Sequence, residues 1–268
     1  MPATDKEFTG SIPEIYDRFL VPLIFEPYAA DIARRLATLR PARILEVAAG
    51  TGVVTRAVAV ALPEVEIVAT DLNQPMIDHA KSRQNGGRVE WRAADALALP
   101  FPDASFDAVI CQFGMMFFPD KVKGYGEARR VLKDGGSYIF NVWDKIESNE
   151  FVDVITRALA EVFPLNPPRF MQRTPHGFHD NNVIRADLKN AGFQHMTIEP
   201  METTSRAESA KAAVIAYCQG SPLKLEIEDR GAPGLEAAMA RAVEAVVKRF
   251  GPGPIEGKIR AYIVTARK

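Results

Sequence analysis

The feature that most constrains this chain is the run Ile44-Leu45-Glu46-Val47-Ala48-Ala49-Gly50-Thr51-Gly52. An apolar stretch ends in an acid, then enters a turn of small residues that opens a helix. Small residues let a backbone approach a ligand closely. The helix start offers unpaired N–H groups to a carboxylate or phosphate. Glu46 stands just before that turn, in position to receive an ammonium group. An acid beside an anion-binding turn suits a zwitterionic amino-acid moiety better than a pyrophosphate.

The surrounding chain repeats one pattern. Short runs rich in Val and Ile, at 43–47, 65–71, 89–95, 106–113 and 136–143, read as strands buried on both faces of a parallel sheet. Helix candidates lie between them. Gly52 to Leu62 stops at Pro63, Pro75 to Gln84 follows the capping candidate Asn73, and Lys121 to Lys133 ends before Gly135-Gly136, which suits a left-handed helix terminus. Strand–helix–strand repetition means βαβ units with right-handed crossovers. Ahead of the first strand, Pro27 to Arg40 reads as an amphipathic helix, and the aromatic, proline-broken segment 10–26 as an extra helix or a flap.

The second half differs. Helices are expected over Phe151 to Phe163, Val183 to Asn190, Ala207 to Gln219 and Leu235 to Phe250. A loop spans 165–182, and strands cover 195–205 and 259–267. The expectation is an α/β fold with one mostly parallel sheet of about seven strands and helices on both faces. Three segments follow from this reading: N-terminal helices or a flap at 1–40, a ligand-binding core at 41–145, and the remaining strands with helical lid insertions at 146–268. All belong to one structural domain.

Composition narrows the function. The 268 residues carry 33 Lys+Arg against 34 Asp+Glu, a formal net charge of −1. That balance disfavours a dedicated nucleic-acid binder, which shows a basic excess. The apolar stretch VICQFGMMFF falls far short of the about 18 residues a membrane span needs. The polar start MPATDKEFTG has no secretory pattern. Two cysteines, Cys111 and Cys218, make neither a disulfide framework nor a four-ligand zinc set. The expectation is a cytoplasmic protein with no metal.

Further acids join Glu46 at the carboxyl ends of the strands. Asp71 closes the second strand, 71 − 50 = 21 residues after Gly50, where an acid accepts from ribose hydroxyls in nucleotide-binding α/β folds. Asp95 closes the third strand and can accept from an adenine amino group. Leu72, Met76 and Leu97 are apolar neighbours able to sandwich the base. Cys111-Gln112-Phe113-Gly114 ends the fourth strand. Ligands of open α/β sheets bind outside these ends.

The ordered runs ILEVAAGTG, IVATDLNQPMI, ADALALPFPDASFDAVICQFGMMFFPD and RVLKDGGSYIFNVW resemble the class I S-adenosylmethionine-dependent methyltransferases. Within them the chain looks like the small-molecule group that includes the ubiquinone/menaquinone-biosynthesis-type enzymes. The resemblance covers roughly residues 40–145. It implies a Rossmann-like fold, S-adenosylmethionine as cofactor and S-adenosylhomocysteine as product. It also implies that Glu46, Ala48, Gly50, Thr51 and Gly52 shape the methionine pocket, and that Asp71 binds ribose. Leu72, Met76 and Leu97 would flank the adenosine, Asp95 with Ala96 would read the adenine, and the Gln112 backbone would face the methionine end. Tyr16 resembles aromatic residues that close over the cofactor in relatives. The family usually has glycine where Ala48 stands; alanine serves there if its backbone angle is ordinary.

Other residues receive plainer readings. Cys111 and Cys218 are small buried hydrophobes. Asn166-Pro167-Pro168-Arg169-Phe170 is a rigid loop and not the motif of amino-group methyltransferases, which belongs after strand four. Phe117, Trp143, His176 and His179 are the substrate-side candidates, with Asp180 an orienting acid for the histidine pair. No catalytic residue and no oligomeric state is readable. The reaction expected is in-line methyl transfer to a small, apolar or aromatic acceptor. Two alternatives stand beside it. An NAD(P)-dependent oxidoreductase would use Gly50 and Gly52, though Thr55 takes the place of the third glycine. A non-catalytic S-adenosylmethionine-binding protein would keep the fold without turnover.

Overall fold

The computed structural model describes residues 2–268. In chain order its elements are α1 (Ile12–Ile15), a π-helix (Tyr16–Phe25), α2 (Glu26–Leu39), β1 (Arg43–Val47), α3 (Val53–Ala61), β2 (Glu66–Asp71), α4 (Gln74–Arg83), β3 (Arg88–Ala93), β4 (Phe106–Gln112), α5 (Lys121–Val131) and β5 (Leu132–Trp143). There follow α6 (Glu150–Val162), α7 (Phe170–Arg173), α8 (Asn181–Asn190), β6 (His195–Ala207), α9 (Ala210–Gln219), α10 (Leu223–Glu228), α11 (Leu235–Phe250) and β7 (Ile255–Arg267).

The seven strands form one sheet in the order β3-β2-β1-β4-β5-β7-β6. The first five pair in parallel: Leu45 faces Val68 on one side and Val109 on the other, Ala69 faces Trp91, and Ile110 faces Ile139. Central β1 is covered on both faces, which is why its sequence is apolar without alternation. β7 runs against β5. Gly135 N–H donates to the Lys268 carbonyl near one end of the pair, and Asp144 N–H donates to the Arg260 carbonyl near the other. The ion pairs Arg206–Glu256 and Lys258–Glu202 give β6 and β7 the same opposed sense. The sheet is therefore mixed but mostly parallel, as the sequence leads one to expect.

Several boundaries differ from expectation: β7 starts at Ile255 and not at 259, α9 starts at Ala210 and not at 207, and α7 lies inside the expected loop, while two further differences bear on the sheet and the site. Helix α5 stops at Val131, and β5 starts at Leu132, ahead of the paired glycines. Phe106 faces Leu132 but Ala108 faces Ser137, so a step of 108 − 106 = 2 on β4 meets 137 − 132 = 5 on β5. Gly135, at φ +78°, lets the strand absorb the extra residues as a bulge and does not end a helix. The second difference is at β3, which ends at Ala93, so Asp95 follows the strand and does not close it.

The chain gathers into two compact units. Unit one takes the chain up to Phe25, Trp143–Gly177 and Glu202–Arg260; unit two takes Glu26–Val142, Phe178–Met201 and Ala261–Lys268. In unit one, Leu20, Val21, Leu23, Ile24 and Phe25 of the π-helix are buried, as are Phe151, Ile155 and Leu159 of α6 and Ala238, Ala242 and Val246 of α11. Buried Ser205 donates to the Leu23 carbonyl at 2.7 Å, satisfying a π-helix group. Asp5 accepts from Arg173 Nη2 at 2.6 Å and from the Thr174 hydroxyl at 2.5 Å, tying the N-terminal segment to the chain after α7. Unit two buries Ile44, Leu45, Ile67, Val68, Val109 and Ile110 under the aromatic cluster Tyr125, Tyr138, Phe140 and Phe193 and the residues Tyr28, Ile32 and Leu36 of α2.

Candidate cofactor site

The site is built on the β1–α3 loop of unit two. Glu46 is 1% exposed and receives the Thr55 hydroxyl at 2.5 Å. Burial pushes its carboxyl up to about 8; the Thr55 bond and the Arg56 charge only partly offset this, and Asp71 adds to it. A carboxyl so placed takes on its charge readily only when a cation joins it.

After Glu46 every second loop residue is left-handed: Ala48 at φ +55°, Gly50 at +57° and Gly52 at +82°. Turns of this kind aim backbone N–H groups at an anion. Ala48 therefore does not have the ordinary backbone angle on which its substitution for glycine would be harmless. An alanine held there costs about 1 kcal/mol. Its methyl also claims space from the turn after β4: a Cβ on Gly114 would stand 2.5 Å from the Ala48 Cβ.

Asp71 ends β2 and is nearly buried. Its Oδ2 accepts from Gly50 N and its Oδ1 from Asn73 N, both at 2.8 Å. Burial raises its pKa, and these amides work against that rise. The 21-residue separation noted in the sequence is thus a direct hydrogen bond between the two turns. Each carboxylate oxygen keeps further acceptor capacity for a ligand hydroxyl. Leu72 follows at 57% exposure, while Met76 in α4 is buried. Asp95 is exposed, with its Oδ1 accepting the Leu97 amide at 2.9 Å; Ala96 and Leu97 are half-buried.

At the end of β4, Gln112 is half-buried and Phe113 is left-handed at φ +53°. Phe113 N–H donates to Asn141 Oδ1 at 3.0 Å, and the ring meets Tyr28 edge-on at 5.2 Å. Among the described residues, the buried polar atoms of this unit without a hydrogen-bond partner include the Thr51 hydroxyl in the loop and Asn141 Nδ2. Buried polar groups are normally satisfied. The orphaned Thr51 hydroxyl and the under-compensated Glu46 together fit a polar, cationic ligand. Cys111 is fully buried, and burial pushes its thiol up to about 12, which removes it as a nucleophile.

The structure does not bring all the expected site residues into one unit. Glu46, Ala48, Gly50, Thr51, Gly52, Asp71, Leu72, Met76, Asp95, Ala96, Leu97, Gln112, Phe117 and His179 belong to unit two, whereas Tyr16, Trp143 and His176 belong to unit one. Tyr16 stacks on Phe25 at 5.1 Å, Phe25 lies 6.0 Å from Trp143, and Trp143 lies 5.9 Å from the His176 ring. His176 Nδ1 meets the Asp144 carbonyl at 2.8 Å. Asp180 instead caps α8 by accepting from Asn182 N. The Asn166-Pro167 loop is held by Arg230, which donates to both carbonyls.

Two residues beside the loop were not anticipated. Trp91 Cη2 lies 2.6 Å from where a Cβ on Gly52 would stand, and Arg56 Nη1 lies 3.3 Å from it. Arg56 carries a readable signal, since it follows Gly52 by one helical turn. Trp91 reaches the loop only through strand pairing. Among the described residues no group of His, Cys, Asp and Glu could hold a metal, and no helix is long and apolar enough to cross a membrane.

Residues 44–136 match a family model described as a methyltransferase domain. A demethylmenaquinone methyltransferase of Thermus thermophilus is 42% identical over 176 residues, which is 62% of this chain and 79% of that protein. One from Deinococcus radiodurans is 37% identical over 126 residues, 46% of this chain, so the match spans about half (52%) of that relative's length. Among solved structures, the YcgJ protein of Bacillus subtilis aligns with a TM-score of 0.56 at 19% identity, covering 90% of this chain and 98% of its own. That last likeness speaks to the fold alone.

Proposed function

The chain belongs to the class I S-adenosylmethionine-dependent methyltransferases, and from that membership we propose a site assignment and an acceptor class. Its cofactor is S-adenosylmethionine, and the oxidoreductase alternative finds no support in the relatives above. In our reading, Glu46 pairs with the ammonium group and the left-handed loop receives the carboxylate. Asp71 takes the ribose hydroxyls, and Asp95 with Ala96 reads the adenine. Leu72, Met76 and Leu97 flank the base, and the Gln112 backbone faces the methionine end. The observation that carries this is the buried, under-compensated Glu46 at the foot of a loop that is itself tied to Asp71.

The acceptor we propose is a small aromatic molecule of the quinol class, the chemistry that the named relatives suggest. When bound, the cofactor supplies an activated methyl group whose sulfonium charge is lost on transfer. The chain's part is to hold methyl and acceptor at near-attack distance, which supplies much of the rate without a covalent enzyme intermediate. Phe117 and His179 in unit two, and Trp143 and His176 in unit one, are the acceptor-side candidates. Tyr16 is the candidate for closing over the cofactor.

Calorimetric titration with S-adenosylhomocysteine and with NADP(H) tests the cofactor site. Binding of the first alone is expected; binding of NADP(H) alone would overturn the assignment. Mass spectrometry of mixtures with demethylmenaquinol and with simple phenols tests the acceptor. A cofactor-binding protein that methylates none of them would refute the quinol reading.

A further inference from the structure

Arg56 lies on the first turn of α3, next to the Thr55 whose hydroxyl meets Glu46. Its Nη1 donates to the Thr51 carbonyl at 2.5 Å. That nitrogen and the Trp91 indole both border the point where a side chain on Gly52 would begin, so the two wall the loop at its entry into the helix. The charged and titratable groups that bear on Glu46 are few. Arg56 favours its charged form, the Thr55 hydroxyl does the same by hydrogen bonding, and Asp71 opposes it. Cys111 also couples to Glu46, but its thiol is held neutral. Among the described residues, Arg56 is thus the cation that acts on this buried acid.

We propose that Arg56 is a positioning residue for the cofactor: it fixes the Thr51 carbonyl and supplies the standing positive charge that lets Glu46 ionise to meet the incoming ammonium group. This rests on the reading of the loop as the S-adenosyl site. The guanidinium is tied to a backbone carbonyl of the loop, so its charge is held in place beside that loop. A ligand amine that arrives at neutral pH then meets a carboxyl easier to ionise than burial alone would allow.

The test compares wild type, Arg56→Gln and Arg56→Lys across pH 6 to 9.5 by calorimetry. The ligands are S-adenosylhomocysteine and 5′-methylthioadenosine, which has the same nucleoside but no amino-acid moiety. An opposite charge close to an acid shifts it by about one pH unit or more. In Arg56→Gln the acidic limb of the S-adenosylhomocysteine profile should move up by about that amount, weakening binding about tenfold at pH 6.5 and far less at pH 9.5. Arg56→Lys should keep the wild-type profile. The affinity for 5′-methylthioadenosine should be unchanged in both variants, which also shows that they are folded. A parallel weakening of both ligands at every pH would mean that Arg56 merely supports the loop, and would overturn the proposal. So would an unchanged S-adenosylhomocysteine profile in Arg56→Gln. Wild-type protein that binds neither ligand would instead sink the cofactor reading itself.

Discussion

At the scale of single residues, the loop after β1 carries a cost and a latent charge. Ala48→Gly removes a left-handed alanine while adding some freedom to the unfolded chain, so a net gain of about 0.5–1 kcal/mol is expected. Thermal unfolding reads this as a higher midpoint, and a lower one would show that the Ala48 methyl contributes more by packing on Gly114 than its backbone loses. Glu46 predicts a pH effect on the ligand-free protein. Its folded pKa is about 8 against 4.5 for an ordinary glutamate, so between these values the native state holds a proton that the unfolded state has lost. The contribution is fully present below about 4.5 and lost as pH rises through about 8, falling by up to about 1.4 kcal/mol per pH unit. Glu46→Gln should abolish that slope in urea denaturation from pH 5 to 8.5; an equally steep decline in the variant would place the titrating group elsewhere. Glu46 and Asp71 were legible because an acid that ends an apolar strand has little reason to be there except a ligand or a turn. The angle at Ala48 was not, since nothing in an alanine side chain announces a positive φ.

Elements were legible where burial repeats along the chain and illegible where backbone pairing alone decides. The strands β1, β2 and β4 stand within a residue or so of where their apolar runs lie. The early start of β5 was hidden because two glycines signal a helix terminus as strongly as a bulge, and only the pairing with β4 distinguishes them. The π-helix was hidden for a related reason. Residues 16–25 are apolar around much of the helix, with Pro22 inside, and no spacing in such a run marks a wider hydrogen-bond ladder. Its irregular carbonyls need outside donors, as Ser205 provides at Leu23. Ser205→Ala should destabilise the protein by about 1–2 kcal/mol by leaving that buried acceptor short of a partner. Loss of this size, seen in chemical denaturation without loss of S-adenosylhomocysteine binding, is the expected result. A neutral substitution would mean that the carbonyl is served by another group.

For the whole molecule, ligand and fold are coupled. S-adenosylhomocysteine at about 100 times its dissociation constant should add about 2.7 kcal/mol to stability, visible as a rise in the unfolding temperature. Failure to shift at that saturation would contradict a site that exists only in the folded state. The alternation of strands and helices made the parallel half of the sheet foreseeable, whereas the order of its last strands depends on which edges meet. β7 is the last of the seven to be made, yet it lies between β5 and β6. From the synthesis of Trp143 until Ile255 and the residues after it emerge, the ribosome adds more than a hundred residues. At about 5–20 residues per second, β5 keeps an open edge for roughly 5–20 s. The nascent chain thus passes through a window in which this apolar strand can recruit a neighbouring polypeptide instead of its own partner.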